Sequence, residues 1–256
     1  MNQLGRHELV VVRTAADAAK EAARIIAELL AQAQLLARDE LPHAQEPQGS
    51  ASVAFSGGSS PKLLFAALLE LQTQLDWSRI DLFQVDERVA PDGDPSRNLV
   101  DLQHELLDHL NPQALLHPIP VEAGAAEAAV HYADTISRVL GSGAHLDVVH
   151  LGLGNDGHCA SLVPGDQALL VVDSDTATTA KYQGHERVTM TYRMLNRARC
   201  VVWLVTGESK RSALSALLRE DPAIPAAHVR PTRSIIVADQ SALSGADRSA
   251  LSGADR

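Results

Sequence analysis

One short segment of the chain places a carboxylate and an imidazole two residues apart, directly after an apolar run. In Leu151–Gly165, which reads LGLGNDGHCASLVPG, these groups belong to Asp156 and His158. Histidine titrates near neutral pH and can take a proton from water, and a nearby carboxylate can fix its tautomer or stabilise its charged form. The pair therefore predicts general-base hydrolysis. A surface or packing role for His158 stays open, because the chain contains 11 histidines.

The glycines of the same segment, Gly152, Gly154 and Gly157, have the Gly-x-Gly-x-x-Gly spacing of a dinucleotide-binding loop. Such a loop requires a full helix after its last glycine and an acidic residue at the end of the next strand. Pro164 and Gly165 interrupt any helix soon after it begins, and the acidic residues further along lie in the polar run DSDTATTAK. We therefore expect no nicotinamide or flavin cofactor.

The two cysteines, Cys159 and Cys200, are too few for a disulfide framework and lack the clustering of a structural zinc site. Cys159 is adjacent to His158, but adjacent residues rarely reach the geometry of a nucleophile and its base. Both cysteines are predicted to be free thiols, Cys159 is predicted to have a packing role, and no metal is expected.

A glycine-rich turn at residues 56–61, SGGSSP, leads into a predicted helix. Backbone N–H groups in such a turn can bind an anion, and serine hydroxyls add further donors. The candidate groups for a phosphate are Gly57, Gly58 and Ser59. A tight turn in which Ser60 only caps the following helix is an equally good interpretation of this segment.

Three charged residues, Asp86, Glu87 and Arg88, follow an apolar strand at residues 80–85. Charges at the end of a buried strand are costly unless they are paired or used, and a guanidinium suits phosphate oxygens. Arg88 is therefore a candidate anion ligand, with a salt bridge to one of the two acids as the alternative. Asn98 lies at the start of a predicted helix, where its side chain could face the same crevice.

Short apolar runs alternate with amphipathic segments along most of the chain. Apolar side chains recur at helical spacing from Ala22 to Leu36, which predicts a long helix that starts with a capping box at Thr14–Asp17. Further helices are predicted at 62–71, 96–109, 125–140 and 208–219, and strands at 8–12, 52–55, 80–85, 115–119, 147–151, 187–191, 200–205 and 234–238. This order predicts an α/β fold with a mostly parallel sheet and helices on both faces, which binds ligands beyond the carboxyl ends of its strands.

The size and charge of the chain limit the kinds of protein it can be. Its 256 residues fit one large domain over residues 1–240, and its net charge of −10 argues against a nucleic-acid partner. No apolar run approaches the roughly 18 residues of a membrane span, and we recognise no export signal. We expect a cytoplasmic protein, with a monomer favoured. The tail at 241–256 repeats SALSGADR and is predicted to be disordered.

Five separated segments together resemble, in this order, the motifs of the 6-phosphogluconolactonases. They are SGGSSP at 56–61, DERV at 86–89, LGLGNDGHCASLVPG at 151–165, RVTMTYRMLN at 187–196 and GESK at 207–210. The resemblance extends from about residue 8 to residue 238. It implies a Rossmann-like fold shared with glucosamine-6-phosphate deaminases. It also implies metal-independent hydrolysis of 6-phosphogluconolactone to 6-phosphogluconate in the oxidative pentose phosphate pathway.

The resemblance also implies roles for individual residues. His158 matches the catalytic histidine, which is expected to deprotonate the attacking water, and Asp156 matches the acid that supports it. The phosphate is expected to contact basic side chains and the glycine-rich turn, and Asn98 is an additional candidate for a sugar hydroxyl. The phosphate candidates are Arg88, Lys210, Arg187, Gly57, Gly58 and Ser59.

Two other functions are compatible with parts of this pattern. Glucosamine-6-phosphate deaminases share the SGGS turn and the DGH segment, but a pattern like AFNEP then places a glutamate near the histidine. Here residues 160–164 read ASLVP, without an acid. A sugar-phosphate-sensing regulator would keep the fold without catalysis. Such regulators usually add a DNA-binding segment, for which the residues before the first helix leave no room. Lactone hydrolysis is the function we expect.

Overall fold

The computed structural model describes residues 2–40, 51–141, 143 and 145–243. The strands are β1 Asn2–Leu4, β2 His7–Val12, β3 Ala51–Phe55, β4 Ile80–Gln84, β5 Asp86–Arg88, β6 Leu115–His117, β7 Val148–Leu151, β8 Thr176–Tyr182, β9 His185–Met190, β10 Cys200–Val205 and β11 Arg233–Asp239. The α-helices are α1 Ala15–Glu40, α2 Ser59–Glu70, α3 Asn98–Glu105, α4 Ala125–Leu140, α5 Tyr192–Arg197 and α6 Arg211–Leu218.

The central sheet has eight strands in the order β1-β2-β11-β10-β7-β3-β4-β6, and every neighbouring pair is parallel except β1 with β2. From β6 to β11 the strands have the order of a doubly wound dinucleotide-binding sheet. The chain winds outward from β3 in one direction and then from β7 in the other. The order of connection thus reverses between β3 and β7, where ligands bind in folds of this type. The predicted Rossmann-like fold is confirmed.

Both faces of this sheet are buried under helices, because side chains alternate between the faces along each strand. In β10, Val202 and Leu204 belong to the core beneath α1, α2 and α3, whereas Val201, Trp203 and Val205 belong to the core beneath α4, α5 and α6. Strands that are covered on both sides read as continuous apolar runs. This explains why the central strands were predictable from sequence.

The first helix begins with the predicted capping box. The Thr14 hydroxyl oxygen accepts a hydrogen bond from the Asp17 N–H at 3.1 Å, and the Asp17 carboxylate accepts one from the Thr14 N–H at 3.2 Å. Each side chain thereby satisfies a backbone donor that has no partner within the helix. The predicted start of α1 is confirmed.

The strand predicted at 187–191 is present as β9, but its expected place in the parallel sheet is wrong. β9 is the middle strand of a separate antiparallel sheet with the order β5-β9-β8, which packs against α4. β8 lies in the segment that reads as a polar run. Its buried residues are Thr176, Ala177 and Thr179, so the segment has only a weak apolar signal. β8 is a strand because its backbone pairs with β9 in an antiparallel ladder, and its own sequence has little hydrophobic pattern.

One further prediction, the length of a helix, needs adjustment. The helix expected over 96–109 is shorter, because α3 ends at Glu105 and a 3₁₀ turn, Leu107–His109, follows it.

The duplicated octapeptide lies almost wholly outside the described residues, which end at residue 243 within the first copy. No helix in the described part of the chain is long and apolar enough to cross a membrane.

Candidate active site

A cavity of about 390 Å³ opens at the carboxyl ends of β3, β4, β7 and β10, at the reversal point of the sheet. The loops that follow these four strands form most of its wall, and the tip of the β8–β9 hairpin adds another part. Eight of the nine predicted site residues line it, and the side chain of the ninth, Ser59, is outside the described part of the structure. The eight are Gly57, Gly58, Arg88, Asn98, Asp156, His158, Arg187 and Lys210.

Asp156 and His158 form a close pair on the loop after β7. The Nδ1 atom of His158 lies 2.5 Å from Oδ1 of Asp156, and the same carboxylate oxygen accepts the His158 backbone N–H at 3.2 Å. Burial alone would raise the pKa of Asp156, but its hydrogen bonds and charge interaction with His158 outweigh burial and lower that pKa below its ordinary value. An ionised Asp156 favours the histidine tautomer with a proton on Nδ1, which leaves the Nε2 lone pair free to accept a proton.

Two glycines of the Gly-x-Gly-x-x-Gly segment, Gly154 and Gly157, leave the space that the loop with Asp156 and His158 requires. A Cβ atom on Gly154 would lie 2.0 Å from Nδ1 of His158, and one on Gly157 would lie 2.5 Å from Cβ of Ile224. Gly157 also has a φ of +81°, in the left-handed region that favours glycine. Residues 152–166 contain no helix, as predicted, and the next helical turn is the 3₁₀ segment Gln167–Leu170.

The SGGSSP turn forms the opposite wall, after β3. Gly58 precedes α2 with a φ of +108°, a conformation that side-chain-bearing residues rarely adopt. A Cβ atom on Gly57 would lie 2.1 Å from Oδ1 of Asn98, so this glycine allows α3 to approach the turn. Ser59 is the first residue of α2, and its side chain is outside the described part of the structure.

The three charged residues after β4 take three different roles. Asp86 is buried and accepts a hydrogen bond from the Ser161 hydroxyl at 2.6 Å. Glu87 is fully buried and accepts the backbone N–H groups of Arg88, Asn98 and Leu99 at 2.7–2.9 Å. It therefore caps the start of α3.

Arg88 points into the cavity. Its Nη1 atom donates to the Ser96 carbonyl at 2.5 Å, and it forms no ion pair with any residue that the structure describes. The salt bridges proposed as the alternative for Arg88 are made instead by its acidic neighbours. Glu87 lies 3.6 Å from Arg97, and Asp86 lies 4.0 Å from Arg187.

Lys210 enters the cavity from the turn after β10, just before α6. Burial lowers its pKa below the ordinary value, and the nearby Asp156 carboxylate acts in the opposite direction. Lys210, Asp156 and His158 line the same cavity. A basic group next to the Asp156–His158 pair can bind an anionic part of a ligand.

Two residues of the β8–β9 hairpin, Tyr182 and Gln183, also line the cavity, and the sequence interpretation did not include them. The Tyr182 hydroxyl donates to Oδ2 of Asp156 at 3.3 Å. The only sequence signal for this hairpin is the glycine of Gln183-Gly184, which is weaker than the Asn-Gly or Asp-Gly pairs typical of such turns. The aliphatic side chains of β8 are alanines alone, so the strand before the turn has little hydrophobic pattern.

Cys159 and Cys200 are free thiols and both are buried. Burial raises the pKa of Cys159 far above its ordinary value, followed by a smaller effect of Asp86. A thiol in this state is a poor nucleophile, in agreement with the packing role predicted for it. Within the described residues, no three His, Cys, Asp or Glu side chains are grouped so that they could hold a metal ion.

A doubly wound sheet with a cavity at its reversal point defines an α/β protein that binds a ligand at this edge of the sheet. The profile of the family described as glucosamine-6-phosphate isomerases/6-phosphogluconolactonase matches residues 14–238, and the chain belongs to this family. Among its curated relatives are the 6-phosphogluconolactonase of Synechocystis, 36% identical over 205 residues, 76% of this chain and 84% of the relative. The 6-phosphogluconolactonase of Nostoc is 32% identical over 217 residues, 81% and 89% of the two chains.

Solved structures show the same fold. The 6-phosphogluconolactonase from Trypanosoma cruzi superposes with a TM-score of 0.79 at 25% identity, over 94% of this chain and 97% of the other. A monomeric glucosamine-6-phosphate deaminase superposes with a TM-score of 0.73 at 19% identity, over 92% and 98%. Both solved structures therefore share the fold of this chain.

Proposed function

We propose that this protein hydrolyses 6-phospho-D-glucono-1,5-lactone to 6-phosphogluconate, a reaction of the oxidative pentose phosphate pathway. The observation that carries the proposal is the Asp156–His158 pair, 2.5 Å apart, in a cavity that also contains Arg88 and Lys210. The similarity to 6-phosphogluconolactonases over most of the chain supports it.

In the proposed reaction, His158 acts as a general base through Nε2. It takes a proton from a water molecule, and the resulting hydroxide attacks the lactone carbonyl carbon. The tetrahedral intermediate then collapses, the bond between this carbon and the ring oxygen breaks, and the ring oxygen takes the proton from the imidazolium. Asp156 holds the imidazole through Nδ1 and stabilises its charged form. A base of this kind contributes about 10²- to 10⁴-fold to the rate.

The phosphate end of the substrate is assigned to the basic side of the cavity. Arg88 and Lys210 are the proposed charged contacts, and Arg187 adds a third positive charge to the wall. The N–H groups of Gly57 and Gly58 and the Ser59 hydroxyl are proposed as further donors, with Asn98 for a sugar hydroxyl. Charge-assisted contacts contribute about 1.5–3 kcal/mol each, so two or three of them can anchor a phosphate on a protein with a net charge of −10.

The deaminase alternative is disfavoured by the loop that follows His158. Residues 160–164 carry no carboxylate, so no acid of this loop is available to assist the histidine in isomerisation. A non-catalytic regulator is disfavoured by the presence of the complete Asp156–His158 pair.

The proposal also covers the domain organisation, the oligomeric state and the cellular compartment of the protein. We propose that residues 1–240 form one domain, since β1 and β11 belong to the same sheet, and that the protein acts as a monomer. Two free, buried cysteines are typical of a reducing compartment such as the cytoplasm. Sedimentation in solution tests the monomer.

The reaction is tested with freshly generated 6-phosphogluconolactone, after subtraction of its spontaneous opening. We expect His158→Ala to lower kcat by about 10²- to 10⁴-fold. His104→Ala is the control, because His104 is an exposed residue of α3 outside the cavity. Equal rates for the wild type and His158→Ala would exclude the general-base role. Release of ammonia from glucosamine 6-phosphate would favour the deaminase instead.

A further inference from the structure

The tip of the β8–β9 hairpin brings a tyrosine into direct contact with the Asp156–His158 pair. Tyr182 pairs with His185 across the hairpin, and the two residues between them, Gln183 and Gly184, have φ values of +51° and +90°. Two consecutive residues with positive φ form the tight turn that matches the twist of a hairpin. The turn therefore defines where the Tyr182 side chain leaves the strand.

Tyr182 uses both its hydroxyl and its ring at this position. The hydroxyl lies 3.3 Å from Oδ2 of Asp156, while Oδ1 of the same carboxylate bonds His158. The ring meets the imidazole of His158 edge-on, with centroids 5.4 Å apart and an interplanar angle of 69°. Burial, followed by the Asp156 charge, raises the pKa of Tyr182 above its ordinary value, so the hydroxyl is protonated at neutral pH and can donate.

Arg187 holds the hairpin tip in place from the other side. Its Nη2 atom donates to the Tyr182 carbonyl and to Oε1 of Gln183, both at 3.3 Å, and its guanidinium carbon lies 5.1 Å from the Tyr182 ring centroid. Cation–π contact at this distance favours a fixed ring. Tyr182 is therefore held between a buried arginine and the Asp156–His158 pair.

We propose that Tyr182 is a positioning residue for the hydrolysis proposed above: its hydroxyl holds the Asp156 carboxylate and its ring holds the imidazole of His158. The inference rests on the proposed function. Asp156 has 39% of its side chain exposed, so without Tyr182 the second carboxylate oxygen would be free to turn towards water. The hydrogen bond from Tyr182 fixes the rotamer and also draws negative charge away from the oxygen that faces His158.

The effect of Tyr182 on the charge of Asp156 predicts the direction in which the protonation of His158 changes when the hydroxyl is removed. Loss of the Tyr182 hydroxyl leaves more negative charge on Asp156, which stabilises the imidazolium form of His158 more strongly. The protonation midpoint of His158 then moves to higher pH. The other charged groups that line the cavity are unchanged by this substitution; they are Asp86, Arg88, Arg187 and Lys210.

The test is Tyr182→Phe, which keeps the ring and removes the hydroxyl. We expect kcat to fall by about three- to tenfold, less than a short charge-assisted hydrogen bond contributes, because the bond to Asp156 is long at 3.3 Å, with KM little changed. The acidic limb of the pH–rate profile should move to higher pH. Tyr192→Phe is the matched control, because its hydroxyl donates to the Pro225 carbonyl at 2.9 Å and the residue does not line the cavity.

A substrate-free measurement separates this inference from the proposed function. The proton on the His158 ring carbon between the nitrogens can be followed by NMR during a pH titration of both proteins. A higher midpoint in Tyr182→Phe than in the wild type supports the positioning role even if no lactone is hydrolysed. An unchanged or lower midpoint overturns it, whatever the activity of the wild type.

Discussion

The positive side chains of the cavity differ in how much of their hydrogen-bonding capacity the protein already uses. Arg187 is buried, and its two terminal nitrogens contact Ser161, Tyr182 and Gln183. Arg88 gives one donor to the Ser96 carbonyl, which leaves most of the five donors of a guanidinium for a ligand. Arg88 is therefore better placed than Arg187 to bind an incoming phosphate.

We predict that Arg88→Ala raises KM for 6-phosphogluconolactone by roughly ten- to a hundredfold, the effect of losing one charge-assisted contact of about 1.5–3 kcal/mol. Activity on unphosphorylated gluconolactone should hardly change. Steady-state kinetics on both lactones give the comparison, with Arg138→Ala, an exposed arginine of α4, as the control. A similar loss on both lactones would indicate that Arg88 acts through Ser96 on the structure of the loop.

At the scale of elements, Glu87 connects the end of β4 to the start of α3. Its carboxylate accepts the first two N–H groups of the helix and also the side-chain amide of Gln84 at 3.0 Å. An anion at a helix N-terminus is stabilised by the helix dipole. Arg97, 1% exposed, supplies the opposite charge. Glu87 thereby positions Arg88 and Asn98, although it does not itself line the cavity.

We predict that Glu87→Gln lowers the free energy of unfolding by about 3–5 kcal/mol, because Glu87 is the fully buried partner of Arg97, whose other acidic partners, Glu122 and Asp92, are exposed. It should also raise KM, since Asn98 begins the helix that loses its cap. Urea unfolding measures the first effect. The matched control is Glu122→Gln, which removes a carboxylate that is 55% exposed from the same arginine and should cost about 0–1 kcal/mol. Equal losses in the two variants would contradict the role of Glu87 as a buried cap.

For the molecule as a whole, a buried histidine in the central sheet links stability to pH. His150 lies in β7 on the α1 face of the sheet, beside Phe55, with ring centroids 6.0 Å apart. Neither of its ring nitrogens has a hydrogen-bond partner among the described residues. Burial lowers the pKa of His150 to about 3, so the fold accepts only the neutral ring.

The buried, neutral His150 makes the free energy of unfolding change with pH in one direction. The unfolded chain protonates this histidine near pH 6.5, whereas the folded protein does so only near pH 3. Between these values the unfolded state binds more protons, so the free energy of unfolding falls as the pH is lowered through this window. The contribution is about 1.4 kcal/mol per pH unit. His7, whose pKa burial lowers to about 4, acts in the same direction.

We predict that His150→Leu makes the protein more stable, and that the gain is about 2 kcal/mol larger at pH 5 than at pH 8. Urea unfolding of both proteins at the two pH values measures the difference, in which the acidic groups common to both cancel. His104→Leu, at an exposed position, should show no such difference. An equal gain at both pH values would mean that His150 is protonated or hydrogen-bonded in the fold.

The sequence by itself determined the parallel sheet, its covering helices and the loop that carries Asp156 and His158. The reason is physical: strands buried on both faces must be apolar throughout, and the ends of parallel strands meet at one edge of the sheet. Groups that follow separate strands are therefore brought together. The prediction of a shared crevice for residues far apart in sequence followed from this rule.

Only the tertiary structure decided which side chains complete the site. Tyr182 reaches Asp156 because β8 pairs with β9 in an antiparallel sheet, and strand pairing of polar residues leaves no hydrophobic period to detect. The absence of a side chain at Gly57 leaves space for Asn98, and its absence at Gly154 leaves space for the His158 ring. The first contact joins segments far apart in the sequence, and the second joins the two sides of one turn. Spacing along the chain identifies which residues can react, whereas their distances and partners depend on contacts that form only when the chain is folded.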